Sequence, residues 1–283
     1  MTRLPELPEV ETVRKGLEGL VIGKMIERVQ VSWPRIIRTD ESLEQWQHEL
    51  VGQRIERVSR RGKYLIFHLS DCLLISHLRM EGKYLYYPDE DSFLPEMAKH
   101  THVRYYFTDG SQLHYHDVRK FGRIERLRID DLATYFLERK LGPEPVAEEF
   151  LVENFQQQLA LIKKAIKPAL LEQKLVVGLG NIYVDETLFR AGIHPATPAN
   201  RLKSEQVKLL HQTIMQVLDE AIEAGGSTIR TYKNTLGEAG SFQQTLMVYG
   251  RQDEPCVTCG TPIEKIQLAQ RGTHFCPSCQ VIQ

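Results

Sequence analysis

Apolar residues recur at Val10, Val13, Leu17 and Leu20, the spacing of one helical face, and Pro8 suits a first helical position. Beyond this helix, to about Ile129, the period shortens to two. Val103, Tyr105 and Phe107 alternate with polar neighbours, Asp109-Gly110 supplies a hairpin turn, and Leu113 and Tyr115 resume the alternation. The stretch predicts a mostly antiparallel β-structure, sandwich or barrel, behind a leading helix. Leu141-Gly142-Pro143-Glu144-Pro145 interrupts the pattern and reads as a linker. Helical spacing then returns in short segments at 152–164, 168–173 and 182–190, followed by a long amphipathic helix at 204–223. Its stripe is Val207, Leu210, Ile214, Val217, Leu218 and Ala221, with Ser204 placed to cap the start and Gly225 the end. From Gly250 the chain is too short to bury a core of its own and needs a staple. An α+β multidomain protein is expected, with domains at 1–135, 146–245 and 249–283.

Composition changes this picture little. A chain of 283 residues, 42% apolar and 26% charged, is ordinary for a globular protein of two or three domains. No run of about 18 apolar residues suggests a membrane span and no secretory segment stands near the start, so a cytoplasmic location is expected. The net charge of −1 does not advertise a polyanionic partner. Arg54, Arg57, Arg60, Arg61 and Lys63, opposed within the run only by Glu56, form a local basic cluster that reads equally well as a solvated face.

Chemistry enters with the cysteines. Four of the five form Cys256-x2-Cys259-x16-Cys276-x2-Cys279, two knuckles able to present four thiolates to a closed structural Zn²⁺ site. A pair of redox dithiols is the alternative, but no thioredoxin-like βαβ pattern surrounds them. Cys72 lies in an apolar run and reads as a small buried hydrophobe. Between the knuckles, Gln270-Arg271-Gly272-Thr273-His274 has the texture of a hairpin, and Arg271 there is either merely solvated or a phosphate clamp. Val177-Gly178-Leu179-Gly180-Asn181 offers amide N–H groups at a helix start, a phosphate seat or an ordinary corner between helices.

Several motifs, in order, resemble the formamidopyrimidine-DNA glycosylase family over nearly the whole chain. They are Pro5-Glu6-Leu7-Pro8-Glu9-Val10-Glu11-Thr12, Arg60-Arg61-Gly62-Lys63, Ser76-His77-Leu78-Arg79-Met80-Glu81-Gly82, Asp117-Val118-Arg119-Lys120-Phe121-Gly122, Gly180-Asn181-Ile182-Tyr183-Val184-Asp185-Glu186, and the cysteine knuckles with Arg271-Gly272-Thr273-His274-Phe275. The resemblance implies an N-terminal β-sandwich, a helix–two-turn–helix domain and a C-terminal zinc finger with one structural Zn²⁺. It implies a monomer acting on double-stranded DNA that contains oxidised purines or abasic sites. The implied chemistry is base excision followed by strand scission, with the Pro5 amine as nucleophile, Glu6 as principal acid, Lys63 on the phosphate beside the lesion, and Glu9 in support. Met80, Arg119 and Phe121 correspond to side chains that fill the void left by an everted base. His77, Asn181 and Arg271, with Lys63, correspond to phosphate contacts, and 231–241 to a loop over an everted purine. By residue type alone, Met80 and Phe121 read as core, Lys63 as an exposed turn lysine, and Glu9 as helix-start chemistry.

The chain departs from the family pattern twice. Gln270 stands where glycine is expected, which bears on the aim of Arg271. Met1-Thr2-Arg3-Leu4 precedes Pro5, whereas the family exposes this proline by removing one methionine; a proline nitrogen inside the chain is a tertiary amide and no nucleophile. Leu4 falls where the initiator is expected, and a UUG codon reads as leucine internally yet can start translation. The expectation is therefore a mature terminus at Pro5; if residues 1–4 persist, a catalytically silent lesion-binding protein is the alternative. Pro5-Glu6-Leu7-Pro8 resembles the purine branch rather than the related endonuclease VIII type, which acts on oxidised pyrimidines.

Overall fold

In the computed structural model, which describes residues 5–89, 91–93, 95–227 and 240–282, the period-two segments pair into two sheets. Met1–Leu4 and 231–239 of the expected purine-covering loop lie outside the described residues. The chain forms two units, one built on Glu9–Glu138, the other on Glu6–Pro8, Arg139–Ser227 and the residues from Ser241.

In the first unit, helix α1 (Leu7–Val21) leads into strands β1 (Ile26–Val31) and β2 (Ile37–Arg38), helix α2 (Leu43–His48), and strands β3 (Ile55–Arg61), β4 (Tyr64–Leu69), β5 (Leu73–His77) and β6 (Lys83–Tyr87). Strands β7 (Thr101–Phe107), β8 (Gln112–His116) and β9 (Arg123–Leu127) follow, then helix α3 (Leu132–Glu138). One sheet runs β1-β7-β8-β6 and the other β2-β9-β5-β4-β3, antiparallel except for the short β2–β9 pair. The expected β7–β8 hairpin forms around Asp109 and Gly110, the latter at φ +85°, with Asp109 accepting the Ser111 N–H at 3.1 Å. The core joins Val10, Val13, Leu17 and Val21 of α1 to Phe67, Val103, Phe107 and Tyr115. Val21 takes the place expected of Leu20, which is only partly buried, as a spacing of three, four and four keeps one helical face inward.

In the second unit the helices are α4 (Val152–Ala160), α5 (Ile166–Leu171), α6 (Asn181–Arg190) and α7 (Ser204–Glu223), and strands β10 (Glu264–Leu268) and β11 (Arg271–Phe275) form the C-terminal hairpin. All six residues of the α7 stripe are buried. Ser204 does not cap it. It is the first helical residue, and its hydroxyl accepts from Gln156 at 2.9 Å, while the Gln206 side chain closes the start by accepting the Lys203 N–H at 3.0 Å. Gly225, at φ +72°, ends α7 as expected. Helix α6 is buried from Ile182 to Phe189, so its acidic residues need internal partners.

Candidate functional site

Strand register gathers five of the expected residues of the first unit at one end of the sandwich. Tyr64 pairs with His77, His77 with Arg123, and Lys83 with His116, so the β3–β4 turn, the β5–β6 connection and the β8–β9 connection leave the sheets together. Lys63 stands in the first, His77 and Met80 at the second, Arg119 and Phe121 in the third. The β3–β4 turn is a two-residue hairpin whose first position, Gly62, has φ +53°, as this turn geometry requires.

The two longer connections carry backbone strain beside the void-filling candidates. Arg79, next to Met80, has φ +56°, and Lys120, between Arg119 and Phe121, has φ +59°. Such conformations in residues with a Cβ persist only where their surroundings fix them, and they cluster at functional sites. Asp117, fully buried, accepts the N–H groups of Arg119 at 2.9 Å and Gly122 at 2.8 Å. The Lys120 ammonium sits 3.9 Å above the Trp33 ring. Phe121 remains 46% exposed, with the Arg119 guanidinium 5.0 Å over its ring. Its exposure sets aside the core reading that its residue type suggested.

Around Lys63 the basic cluster resolves into separate partners. Arg60 donates to Glu11 at 3.0 Å and to the Gly62 carbonyl at 3.0 Å, Arg54 to the Gly23 carbonyl, and Arg57 meets His68. Much of the cluster is therefore internally engaged rather than a free cationic face. His77 packs edge-on against Tyr64 at 4.6 Å, and its Nδ1 accepts the Arg79 N–H at 3.0 Å. Burial, with the charges of Arg79 and Lys63 adding to it, pushes its pKa down to about 3. A neutral ring with Nδ1 occupied as acceptor keeps its proton on Nε2, a donor suited to a phosphate oxygen. Glu9 is buried in the first turn of α1.

In the second unit Glu6 is 2% exposed, and its carboxylate accepts three backbone N–H groups at the start of α6. Gly180 donates at 2.6 Å, Ile182 at 2.9 Å and Tyr183 at 3.3 Å. The amides that the sequence offered as a phosphate seat are thus occupied by the protein's own carboxylate, because the helix dipole and its unpaired N–H groups accept any anion brought to them. Both glycines of the segment serve this approach. A Cβ at Gly180 would lie 2.3 Å from Glu6 Cδ, and one at Gly178, whose φ is +104°, would lie 2.5 Å from Leu7 Cδ1. The Leu7 N–H closes the contact by donating to the Gly178 carbonyl at 3.1 Å.

Helix α6 then ties this cradle to the C-terminal hairpin. Asp185 receives the Lys167 ammonium at 2.7 Å and the His274 N–H at 2.9 Å, and Lys167 also donates to the Gly272 carbonyl at 3.1 Å. Both side chains are fully buried. Glu186 accepts the N–H groups of Met247, Val248 and Tyr249, and burial raises its pKa. Asn181, half-buried, donates to the Gly272 carbonyl at 3.0 Å, leaving its Oδ1 unpartnered. Arg271 is exposed at the base of a turn in which Ala269 and Gln270 have φ +46° and +64°. The departure at Gln270 thus falls on a left-handed residue.

The sulfurs of Cys256, Cys259, Cys276 and Cys279 lie within 4.8 Å of one another, with Cys256–Cys279 at 3.9 Å and Cys259–Cys276 at 3.4 Å. A tetrahedron with Zn–S bonds of about 2.3 Å has sulfurs about 3.8 Å apart. The donor set and spacing fit one structural Zn²⁺ with no position left open. Among the described residues no other group of histidine, cysteine and acidic side chains forms such a cluster.

Sequence reasoning gave no role to Lys167 or Tyr115, and it named Asp117 and Asp185 only as members of family motifs. A lysine inside the apolar Ile166–Leu170 run was the available signal for the buried pair. Tyr115 gave none beyond strand alternation.

Family models match three stretches: the formamidopyrimidine-DNA glycosylase N-terminal domain over residues 4–124, its H2TH domain over 141–233, and a zinc finger found in FPG and IleRS over 253–281. The chain is 58% identical over 280 residues to the formamidopyrimidine-DNA glycosylase of Enterococcus faecalis, covering 99% of this chain and 98% of that one. With the Bacillus subtilis protein of the same name it shares 52% over 277 residues, covering 98% and 99%. Its fold matches Lactococcus lactis Fpg in complex with DNA containing an abasic site, with a TM-score of 0.92, 49% identity, and coverage of 98% of this chain and 100% of that one. A second Lactococcus lactis complex, with N7-benzyl-Fapy-dG DNA, matches at 0.91 and 48%, with the same coverage.

Proposed function

We propose, from the premise that the chain belongs to the formamidopyrimidine-DNA glycosylase family, that it excises oxidised purines from duplex DNA and then cleaves the strand at the resulting abasic site. The family membership supports a cytoplasmic monomer acting on DNA; among the described residues no helix is long and apolar enough to cross a membrane. Residues 1–135 carry the nucleophile, 146–245 the helix–two-turn–helix and 249–283 the finger.

The observation that carries the reading is Glu6, buried next to Pro5 in sequence and fixed by three amides. A free Pro5 amine, with a pKa of about 7.7–8.0, keeps a useful unprotonated fraction near neutrality. Its nitrogen forms a bond to the sugar anomeric carbon, and the bond to the damaged base breaks, the base leaving with the electron pair and taking a proton from water. The Glu6 carboxylate accepts the amine's only proton and passes it to the sugar ring oxygen as the ring opens, and the nitrogen becomes an iminium cation. That cation takes up the electrons released when sugar protons are removed, expelling first the 3′ and then the 5′ phosphate. Lys63 and the neutral His77 hold the flanking phosphates, while Met80, Arg119 and Phe121 occupy the space left by the everted base. Asn181 and Arg271 are assigned to the same backbone.

Borohydride trapping on a duplex with 8-oxoguanine opposite cytosine tests this, using one chain beginning at Met1 and one at Pro5. A covalent complex with only the Pro5 chain is expected. If neither traps while both bind, the silent-binder reading replaces it.

A further inference from the structure

The β5–β6 and β8–β9 connections rest on a single phenol. Tyr115, near the end of β8, is fully buried, its ring edge-on to Tyr84 at 5.2 Å, and Tyr84 donates to the Ser76 hydroxyl at 2.9 Å. A Cβ at Gly82 would lie 2.2 Å from the Tyr115 hydroxyl oxygen, and one at Gly122 would lie 1.7 Å from it. Neither glycine has a positive φ, so close approach is what each position requires. Gly82 ends the connection bearing Met80; Gly122 ends the one bearing Arg119 and Phe121. One oxygen is therefore in contact with the backbone of both, beneath strained residues on each side, Arg79 and Lys120.

We propose that Tyr115 is a positioning residue for base eversion, its hydroxyl fixing the spacing between the two connections so that Met80, Arg119 and Phe121 enter the duplex as one wedge. This rests on the assignment of those three side chains as void-fillers. Tyr115 itself is sealed from DNA and acts only through the backbone above it. Inserting side chains into a base stack loads the loops that carry them, and loops free to shift apart give way where a packed floor does not. Asp117 and the Lys120–Trp33 contact hold the β8–β9 connection from its sides; Tyr115 touches both connections.

The test compares single-turnover excision of 8-oxoguanine opposite cytosine with excision of the same lesion opposite a one-nucleotide gap, where no partner base is orphaned. Tyr115→Phe, which removes only the oxygen, is expected to slow the paired substrate about tenfold and the gapped one less than twofold, with binding to undamaged duplex and the thermal midpoint nearly unchanged. Equal slowing on both substrates, or none on the paired one, overturns the proposal. Gly122→Ala is expected to slow the paired substrate as well. Adding Tyr115→Phe should partly restore it, since the added methyl then faces ring carbon Cζ at 2.7 Å instead of oxygen at 1.7 Å. Absence of any such restoration counts against a direct contact; if Gly122→Ala does not fold, the Tyr115→Phe comparison decides alone. A chain beginning at Pro5 that carries no substitution and is inactive on both substrates refutes the glycosylase reading, whereas an active one with unaffected variants refutes only the wedge.

Discussion

The Gly180 amide donates to the Glu6 carboxylate at 2.6 Å, and the glycine Cα stands so close that a methyl group there would lie 2.4 Å from Glu6 Oε1. Helix start and acid are thus fitted to one another, and the fit admits no side chain at residue 180. Gly180→Ala is expected to displace the carboxyl and lower single-turnover excision by about 10- to 100-fold, since misplacement of a reacting group by about 1 Å costs on that order. Borohydride trapping and excision rate on 8-oxoguanine duplex measure it. A rate within twofold of the original removes Glu6 from the role of positioned acid.

The Lys167–Asp185 pair has no access to water, so each charge depends on the other. Lys167→Met leaves Asp185 buried with the His274 N–H and, at 3.5 Å, the His274 ring Nδ1, and is expected to cost about 3–5 kcal/mol of stability. Adding Asp185→Leu should recover part of that loss, because the uncompensated charge is gone. Urea unfolding of the zinc-loaded chain measures both; a single variant as stable as the double refutes the dependence.

How far these features were legible depends on whether their signal is local. Alternation at Val103, Tyr105 and Phe107 and the stripe from Val207 to Ala221 follow from period alone, as does the ligand spacing of the knuckles. Glu6 next to Pro5 was legible through the family motif, but not its cradle, because the partners are some 175 residues away in sequence. The phosphate-seat reading of Gly178–Asn181 failed for the same reason: the amides were identified, but their occupant came from the far end of the chain. Alternation placed Tyr115 in a strand, yet nothing in β8 tells which glycines its hydroxyl underlies.

The finger turn stores strain that glycine relieves. Ala269 and Gln270 both have positive φ, the geometry that favours Asn-Gly in two-residue hairpins. Ala269→Asn with Gln270→Gly is expected to raise stability by about 0.5–1 kcal/mol, the left-handed penalty less the entropy glycine adds to the unfolded chain. Thermal unfolding with zinc bound measures the gain. A fall in stability implies that the Gln270 side chain makes contacts outweighing its strain.

The four-sulfur site predicts one zinc per chain and a finger that depends on it. Removing the metal with a chelator is expected to unfold the β10–β11 hairpin and to weaken binding to abasic-site duplex at least tenfold, because Arg271 and the Gly272 carbonyl lose their scaffold. Cys276→Ser should do the same without chelator. Metal analysis beside DNA titration settles it, and full binding by the zinc-free chain refutes the coupling.

Acid sensitivity should arise from buried histidines before carboxylates contribute. Burial lowers the pKa of His114 to about 4, aided by the Arg104 charge, and that of His116 to about 4, aided by Lys83. His68 is likewise lowered to about 4 and His77 to about 3. In the unfolded chain each titrates near 6.5. Above that value neither state holds the proton and these groups leave stability unchanged. Between about 6.5 and 4 the unfolded chain takes up protons that the folded chain refuses, so stability falls as pH falls, by up to about 1.4 kcal/mol per pH unit for each histidine. Asp109, held down to about 2 by Lys24, adds its own loss only below about 4. Urea midpoints measured from pH 7.5 to 4.5 are therefore expected to stay level to about 6.5 and decline below it. His114→Gln should flatten that decline by one histidine's share, and a midpoint constant down to pH 4.5 is incompatible with these rings being buried and neutral. The same neutrality predicts that His77 serves DNA as an uncharged donor. Affinity for abasic-site duplex should then show no rise between pH 7.5 and 5.5 that His77→Gln abolishes.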